Sequence, residues 1–241
     1  MRYSSLAILL LIHASLGAQN LTPKIVQGDQ LIKSWAAGDR SVGQRMVIMP
    51  PAPGTKVSEV YVDTHWKRSR VALYGNDNLI DGFPVKYDLR ANSLEFIVDK
   101  EVKVLDVRKV KSMIWLDSLS NYPHNFVNGK EFTLNQVPLT TLLEVLAEGK
   151  LNLYKQFTYW IRPPDFNPAL NSGSPDERIF ITEHFLYSAD KMLSEVPSKK
   201  KALPAIFGDQ AAAVKNFMKE RDLSASKEND LIAIFEFYNA H

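Results

Sequence analysis

The run from Phe83 to Leu116, FPVKYDLRANSLEFIVDKEVKVLDVRKVKSMIWL, alternates apolar and polar residues with period two over most of its length. That alternation constrains the fold more than any other stretch, because it describes half-buried strands and fits no helical face. Val85, Tyr87 and Leu89 share one face against Lys86, Asp88 and Arg90. The turn-prone Arg90-Ala91-Asn92-Ser93 precedes a return through Leu94, Phe96 and Val98, and Asp99-Lys100 leads to Val102 and Val104. After Asp106-Val107-Arg108 the apolar face resumes at Val110, Ile114 and Leu116. Connections this short exclude parallel crossovers and predict a three- or four-strand antiparallel meander.

Upstream, Val57–Trp66 and Ser69–Tyr74 read as two more strands with a polar corner at Lys67-Arg68, and Gly75-Asn76-Asp77-Asn78 reads as a turn. Downstream, Asn128-Gly129 lies between Phe126-Val127 and Phe132–Leu134, the pattern of a type I′ hairpin. Leu142–Leu146 suits a turn of helix or a buried strand. Gly149-Lys150 followed by Leu151, Leu153 and Tyr154 favours a hairpin that closes at Pro163-Pro164. Asp165 to Asp176 is a long turn-forming loop, and Arg178–Tyr187 is strand-like again before a polar turn at Ser188-Ala189-Asp190.

Beyond Pro197 the period changes to 3.6. Val214, Phe217, Met218 and Arg221 fall on one helical face, and Leu231, Ile234, Phe235 and Tyr238 repeat at i, i+3, i+4, i+7. Ser224 or Ser226 is placed to cap the second helix, Glu228 and Asp230 suit its positive end, and Pro204 fits the first turn of a short preceding helix. The expected fold is mainly β (α+β), an antiparallel meander, sandwich or partly open barrel with two or three carboxyl-terminal helices.

Residues 1–18 carry the parts of a secretory signal: basic Arg2, an apolar run from Leu6 to Ile12, and small residues around Ser15-Leu16-Gly17-Ala18. The apolar run is well short of the ~20 residues of a spanning helix. The expected mature chain therefore starts at Ala18 or Gln19 and is exported, to the periplasm or beyond. Residues 19–44 form a lead-in of unassigned structure, Met49–Gly54 an extended proline-rich boundary, 45–196 a β domain, and 197–241 a helical segment packed on it. The chain has no cysteine, which excludes disulfides, thiolate catalysis and thiolate zinc sites. An exported protein without disulfides points to a bacterial envelope. Its 29 basic and 27 acidic residues are interleaved, so no electrostatic footprint for nucleic acid is present.

Taken together, the Val85–Leu89 strand, the Leu94-Glu95-Phe96 return, Val102–Leu105, Val110-Lys111-Ser112, Glu144-Val145-Leu146 with Gly149-Lys150-Leu151, and the closing Asp230–Ile232 to Tyr238-Asn239 carry a resemblance spanning Glu59 to Asn239. On these features the chain resembles a family of uncharacterised exported proteins of Gram-negative bacteria. The resemblance implies a β-rich exported protein with a helical carboxyl end, and it transfers no activity and no functional residue.

No G-x-S-x-G elbow, P-loop, G-x-G-x-x-G or H-E-x-x-H is present, so neither a cofactor nor a metal is expected. Asp63-Thr64-His65 and Glu183-His184 each set a carboxylate beside an imidazole, a common chance spacing that reads first as solvated surface. Trp66, Trp115, Trp160, Tyr122 and Tyr159 are the candidate ligand-binding residues, as stacking platforms for glycans or walls of a lipid pocket, against the plainer alternative that they fill the core. Lys199-Lys200-Lys201 could touch anionic lipid or polysaccharide, but as three charges it reads first as a solvated helix start. These features favour a non-catalytic binding or structural role, with envelope protein, glycan or lipid as partner, over a glycan- or lipid-acting hydrolase. The two classes make separable demands. A binding site should be concave and lined by aromatics, whereas an enzyme should bring His65, His124 or His184 within hydrogen-bond reach of a carboxylate in a cleft.

Overall fold

In a computed structural model the structure describes residues 60–75, 79–116 and 122–241. The leader, the lead-in, the Met49–Gly54 boundary, the start of the Val57–Trp66 segment and Asn76-Asp77-Asn78 lie outside the described residues. The chain is mainly β, with one large mixed sheet that does not close and a helical carboxyl end.

The strands are β1 (Lys67–Leu73), β2 (Leu79–Asp88), β3 (Ser93–Val98), β4 (Glu101–Asp106), β5 (Val110–Leu116), β6 (Pro123–Asn128), β7 (Thr133–Leu134), β8 (Val137–Pro138), β9 (Leu142–Ala147), β10 (Asn152–Arg162), β11 (Arg178–Ser188) and β12 (Met192–Glu195). Their order across the sheet is β4-β3-β2-β1-β5-β6-β9-β10-β11-β12-β7-β8, with β12 and β7 the parallel pair. A 3₁₀ segment, Leu203–Gln210, carries Pro204 in its first turn, where the missing N–H costs nothing. Helices α1 (Ala211–Glu220) and α2 (Glu228–Ala240) follow.

The period-two stretch forms the expected meander through β2, β3 and β4, closed between β3 and β4 by the two-residue turn Asp99-Lys100 with positive φ at both positions. Its fourth strand is a correction: β5 leaves β4 and pairs with β1. The reversal is made by the 3₁₀ turn Val107–Lys109, where Asp106 caps the Arg108 N–H and buried Val107 bonds back to the Asn92 carbonyl at 3.1 Å.

Four other expectations are overturned. Residues 60–66 form no strand beyond a bridge from Tyr61 to Asp88, because Asp63 bends the chain by accepting the backbone N–H of His65 at 2.7 Å. The expected corner at Lys67-Arg68 is instead the start of β1, since Lys67 satisfies its charge on Asp63 at 2.9 Å while buried. Asn128-Gly129 is not a hairpin turn. Asn128 is extended at φ −74 and buries its side chain, donating to the Val107 and Val110 carbonyls and accepting from the Lys130 N–H. The type I′ geometry appears a few residues later at Asn135-Gln136, between β7 and β8. Likewise neither Ser224 nor Ser226 caps α2, whose N-cap position is Lys227 and which has no side-chain cap. Ser224 is held in the preceding turn by its N–H to Asp230 and its hydroxyl to the Ser226 N–H.

The sheet coils strongly. The Tyr87 hydroxyl on β2 accepts the Leu142 N–H of β9 at 3.2 Å, although β1, β5 and β6 lie between them in the sheet order. Inside the coil, Val85, Tyr87, Phe96, Phe126 and Phe157 belong to one buried cluster. A second cluster joins Leu153 of β10 to Phe207, Val214, Met218, Leu231, Ile234 and Phe235, which seats the helices on the same sheet. A third, around Leu143, Tyr154, Leu186 and Leu193, lies on the opposite face under β7 and β8. Among the described residues no helix is long and apolar enough to cross a membrane.

Candidate functional site

Charged residues inside apolar strands mark the site. Glu144 interrupts Leu142–Ala147 and Lys155 interrupts Leu153–Phe157, and both are buried, at 3% and 6% exposure. They sit directly opposite each other on β9 and β10 and so point to the same face. That face holds Leu153 of the helix-covered cluster on one side of Lys155 and Phe157 of the coiled-sheet cluster on the other. The pair therefore occupies the seam between the two cores.

At this seam four side chains form one hydrogen-bonded chain. Lys155 Nζ donates to Glu144 at 2.9 Å and to Glu228 of α2 at 2.8 Å. The other oxygen of Glu144 lies 2.5 Å from His124 Nδ1. Glu144 accepts there, so Nδ1 carries the proton and the far ring nitrogen of a neutral His124 is left as an acceptor. Burial pushes the Glu144 carboxyl up, but the His124 hydrogen bond and the Lys155 charge outweigh it and hold Glu144 below the usual glutamate range. Burial also works to lower Lys155, and the two glutamates overcome it and hold Lys155 above its usual value. Glu144 and Lys155 therefore both stay ionised at neutral pH.

His124 opens into a cleft of ≈ 570 Å³ between β6, β9 and α2. Tyr122 stands edge-on to the imidazole at 5.5 Å and Trp115 packs edge-on behind it at 6.3 Å. Glu148, Glu228 and Glu236 give the walls acidic character, and Ile232 supplies an apolar patch. Among the described residues no group of histidines and carboxylates is arranged to hold a metal.

Of the aromatics singled out in the sequence, Trp115 and Tyr122 meet at His124, with Trp115 buried against Phe126 at 4.6 Å. The other three lie elsewhere. Trp66 packs under the Lys86 ammonium, 4.9 Å from its ring centre, Tyr159 rests half-buried on the coiled-sheet core, and Trp160 is exposed and stacked on Phe180. His65 is exposed beside Asp63 at 2.9 Å, and His184 bonds the Thr158 hydroxyl at 2.9 Å. The histidine requirement for an enzyme is thus met at one place, His124 with Glu144. The residues that sequence reasoning missed are Glu144, Lys155 and Glu228. For Glu144 and Lys155 the signal is a lone charge in the middle of an apolar strand, repeated on consecutive strands; Glu228, in the first turn of α2, carries no such signal.

Comparisons with protein-family models, with curated proteins and with solved structures gave no match.

Proposed function

We propose that this chain is an exported bacterial envelope or secreted protein that binds a small polar ligand in the His124 cleft. The observation that carries the reading is the His124-Glu144-Lys155-Glu228 chain, buried at Glu144 and Lys155 and opening at His124 into a cleft, because it fixes the imidazole and presents one acceptor nitrogen to whatever enters. The acidic walls favour a ligand that offers N–H or ammonium donors. Export, and kinship with an exported Gram-negative family, are supported by the leader in residues 1–18, the absence of cysteine and the pattern from Glu59 to Asn239.

A hydrolase is the second reading, and the His124–Glu144 pair favours it directly: a histidine held by a carboxylate in a cleft is the arrangement a general base requires. The pair removes the ground on which a non-catalytic role was preferred from sequence. What still favours binding is the lining, in which the described residues bring no serine, threonine or cysteine nucleophile to His124.

Thermal-shift titration of the mature protein with arginine, lysine, spermidine and short basic peptides, beside chromogenic esters and glycosides, decides between the two. Stabilisation that disappears in His124→Gln, with no turnover, supports binding. Turnover abolished by the same substitution establishes the hydrolase. Neither effect with any probe would sink the cleft as the functional site. For export, a mass-determined amino terminus at Ala18 or Gln19 is expected, and an unprocessed cytoplasmic chain would refute it.

A further inference from the structure

The outer half of the β10–β11 hairpin is built unlike the rest of the sheet. Beyond Gln156, β10 has no strand partner but β11, and β11 meets β12 only at Leu186 and Tyr187, so this half stands clear as a two-stranded ribbon among the described residues. Its inward face is anchored: Phe157, Tyr159 and Ile179 pack on the coiled-sheet core. Its outward face is solvent-exposed and ordered along the strand direction.

Directly opposed pairs make up that outward face. In its middle Trp160 and Phe180 stack at 4.3 Å with an interplanar angle of 11°, and they remain 52% and 38% exposed. On one side lie Thr158 and Thr182, then Gln156 and His184, with the Thr158 hydroxyl and His184 Nε2 joined at 2.9 Å. On the other side are Arg162 and Arg178, Arg162 donating to Asp165 at 2.6 Å. From Gln156 to Arg162 the strip runs about 20 Å at the ordinary strand rise.

We propose that this strip binds a neutral polysaccharide chain, with Trp160 stacked on the apolar face of a sugar ring and the flanking hydroxyl, imidazole and guanidinium groups bonded to sugar hydroxyls. A sugar ring is apolar on its faces and both donor and acceptor around its rim. The strip repeats that division, a narrow aromatic centre between polar groups that donate and accept. A protein partner requires a broader apolar centre ringed by groups that exclude water, and two rings do not supply one. The charge around the strip selects against a polyanion or an anionic membrane: Arg162 bonds Asp165, whose carboxylate also feels the Arg178 charge, and Arg90 pairs with Glu177 at 3.5 Å. The strip is on the opposite face of β10 from Lys155 and does not depend on the cleft.

Affinity electrophoresis of the mature chain in gels containing laminarin, mannan, xylan or dextran tests the proposal, with dextran sulfate as the anionic probe. At least one neutral polysaccharide should retard the protein, independently of salt. Trp160→Ala should weaken that retardation about tenfold or more, Trp160→Phe should restore most of it, and Met192→Ala, an exposed apolar truncation elsewhere, should leave it unchanged. The melting temperature of Trp160→Ala should stay near that of the parent, since the ring is half exposed. Retardation by no neutral polysaccharide, equal retardation of Trp160→Ala, or binding to dextran sulfate alone that fades with salt would each overturn it.

Discussion

Lys155 Nζ lies 2.9 Å from the Glu144 carboxylate on the neighbouring strand, with both side chains almost fully buried. The same ammonium reaches Glu228 on α2 at 2.8 Å, so one cation ties the sheet to the helix that roofs the cleft. Removing one partner of a buried pair leaves an uncompensated charge, which costs about 3–5 kcal/mol. Lys155→Met is therefore expected to lower unfolding stability by that amount in urea titration. Glu144→Leu with Lys155→Met should recover most of the loss, because paired burial of two charges is little better than good apolar packing. A double variant as unstable as the single one would show that the pair itself supplies the stability.

The network also sets an acid limit. Glu144 is held below the ordinary glutamate value of 4.5 in the folded protein, so its contribution is fully present above that value and is lost as pH falls through the lowered one. Lys155 is held above its ordinary 10.5, so its contribution is present below that value and is lost as pH rises through the raised one. Urea midpoints measured between neutral pH and pH 3 should fall more steeply for the parent than for Glu144→Gln. Equal slopes would mean that other carboxylates carry the acid transition.

Asn128 supports a separate prediction. Its amide satisfies the Val107 and Val110 carbonyls at 2.8 and 2.6 Å, and its oxygen takes the Lys130 N–H at 2.9 Å, all from a position 1% exposed. Asn128→Ala removes a donor from both carbonyls, leaving that of Val107 with the Val110 N–H, and empties a buried polar site, at about 1–3 kcal/mol. Gly129→Ala should also destabilise, since a Cβ there would sit 2.4 Å from the Thr141 carbonyl oxygen. Thermal melts check both, and a neutral Asn128→Ala would deny the side chain its role in the turn.

The same residue shows where reading the sequence stops. Asn-Gly is a hairpin signal only while the Asn side chain is free for its own turn, and here it is drawn into carbonyls some twenty residues away. The Asp99-Lys100 turn, with nothing distant competing for it, came out where alternation placed it. Helices α1 and α2 were legible for the same reason, as Val214, Met218, Leu231, Ile234 and Phe235 all bury on the face that their spacing defines. The pairing of β5 with β1 was not, because strand order depends on which edges are left open once the sheet coils. Nor was the site: Glu144 and Lys155 are visible as charges in apolar runs, but β-pairing alone brings them together, and α2 alone supplies Glu228.

Helix α2 is an integral part of the fold, which makes its removal the most demanding test of the architecture. Leu231, Ile234 and Phe235 are fully buried, and Phe235 packs edge-on to Phe207 at 5.2 Å. At roughly 1.5–3 kcal/mol for each buried side chain, these three alone approach the ~5–15 kcal/mol that stabilises a whole domain. Asn239 adds a polar anchor: its side chain accepts the Leu151 N–H and donates to the Leu151 carbonyl, both at 3.0 Å, binding the end of the helix to the β9–β10 turn. Deleting Ser226–His241 should therefore drop the melting temperature sharply or drive aggregation through the exposed Leu153 and Phe207 surface. Asn239→Ala, which leaves the apolar face intact, should cost about 1–2 kcal/mol and preserve the fold. If the truncated protein melts like the parent and loses only a binding partner, the helix is an external docking element and its packing on the sheet is wrong.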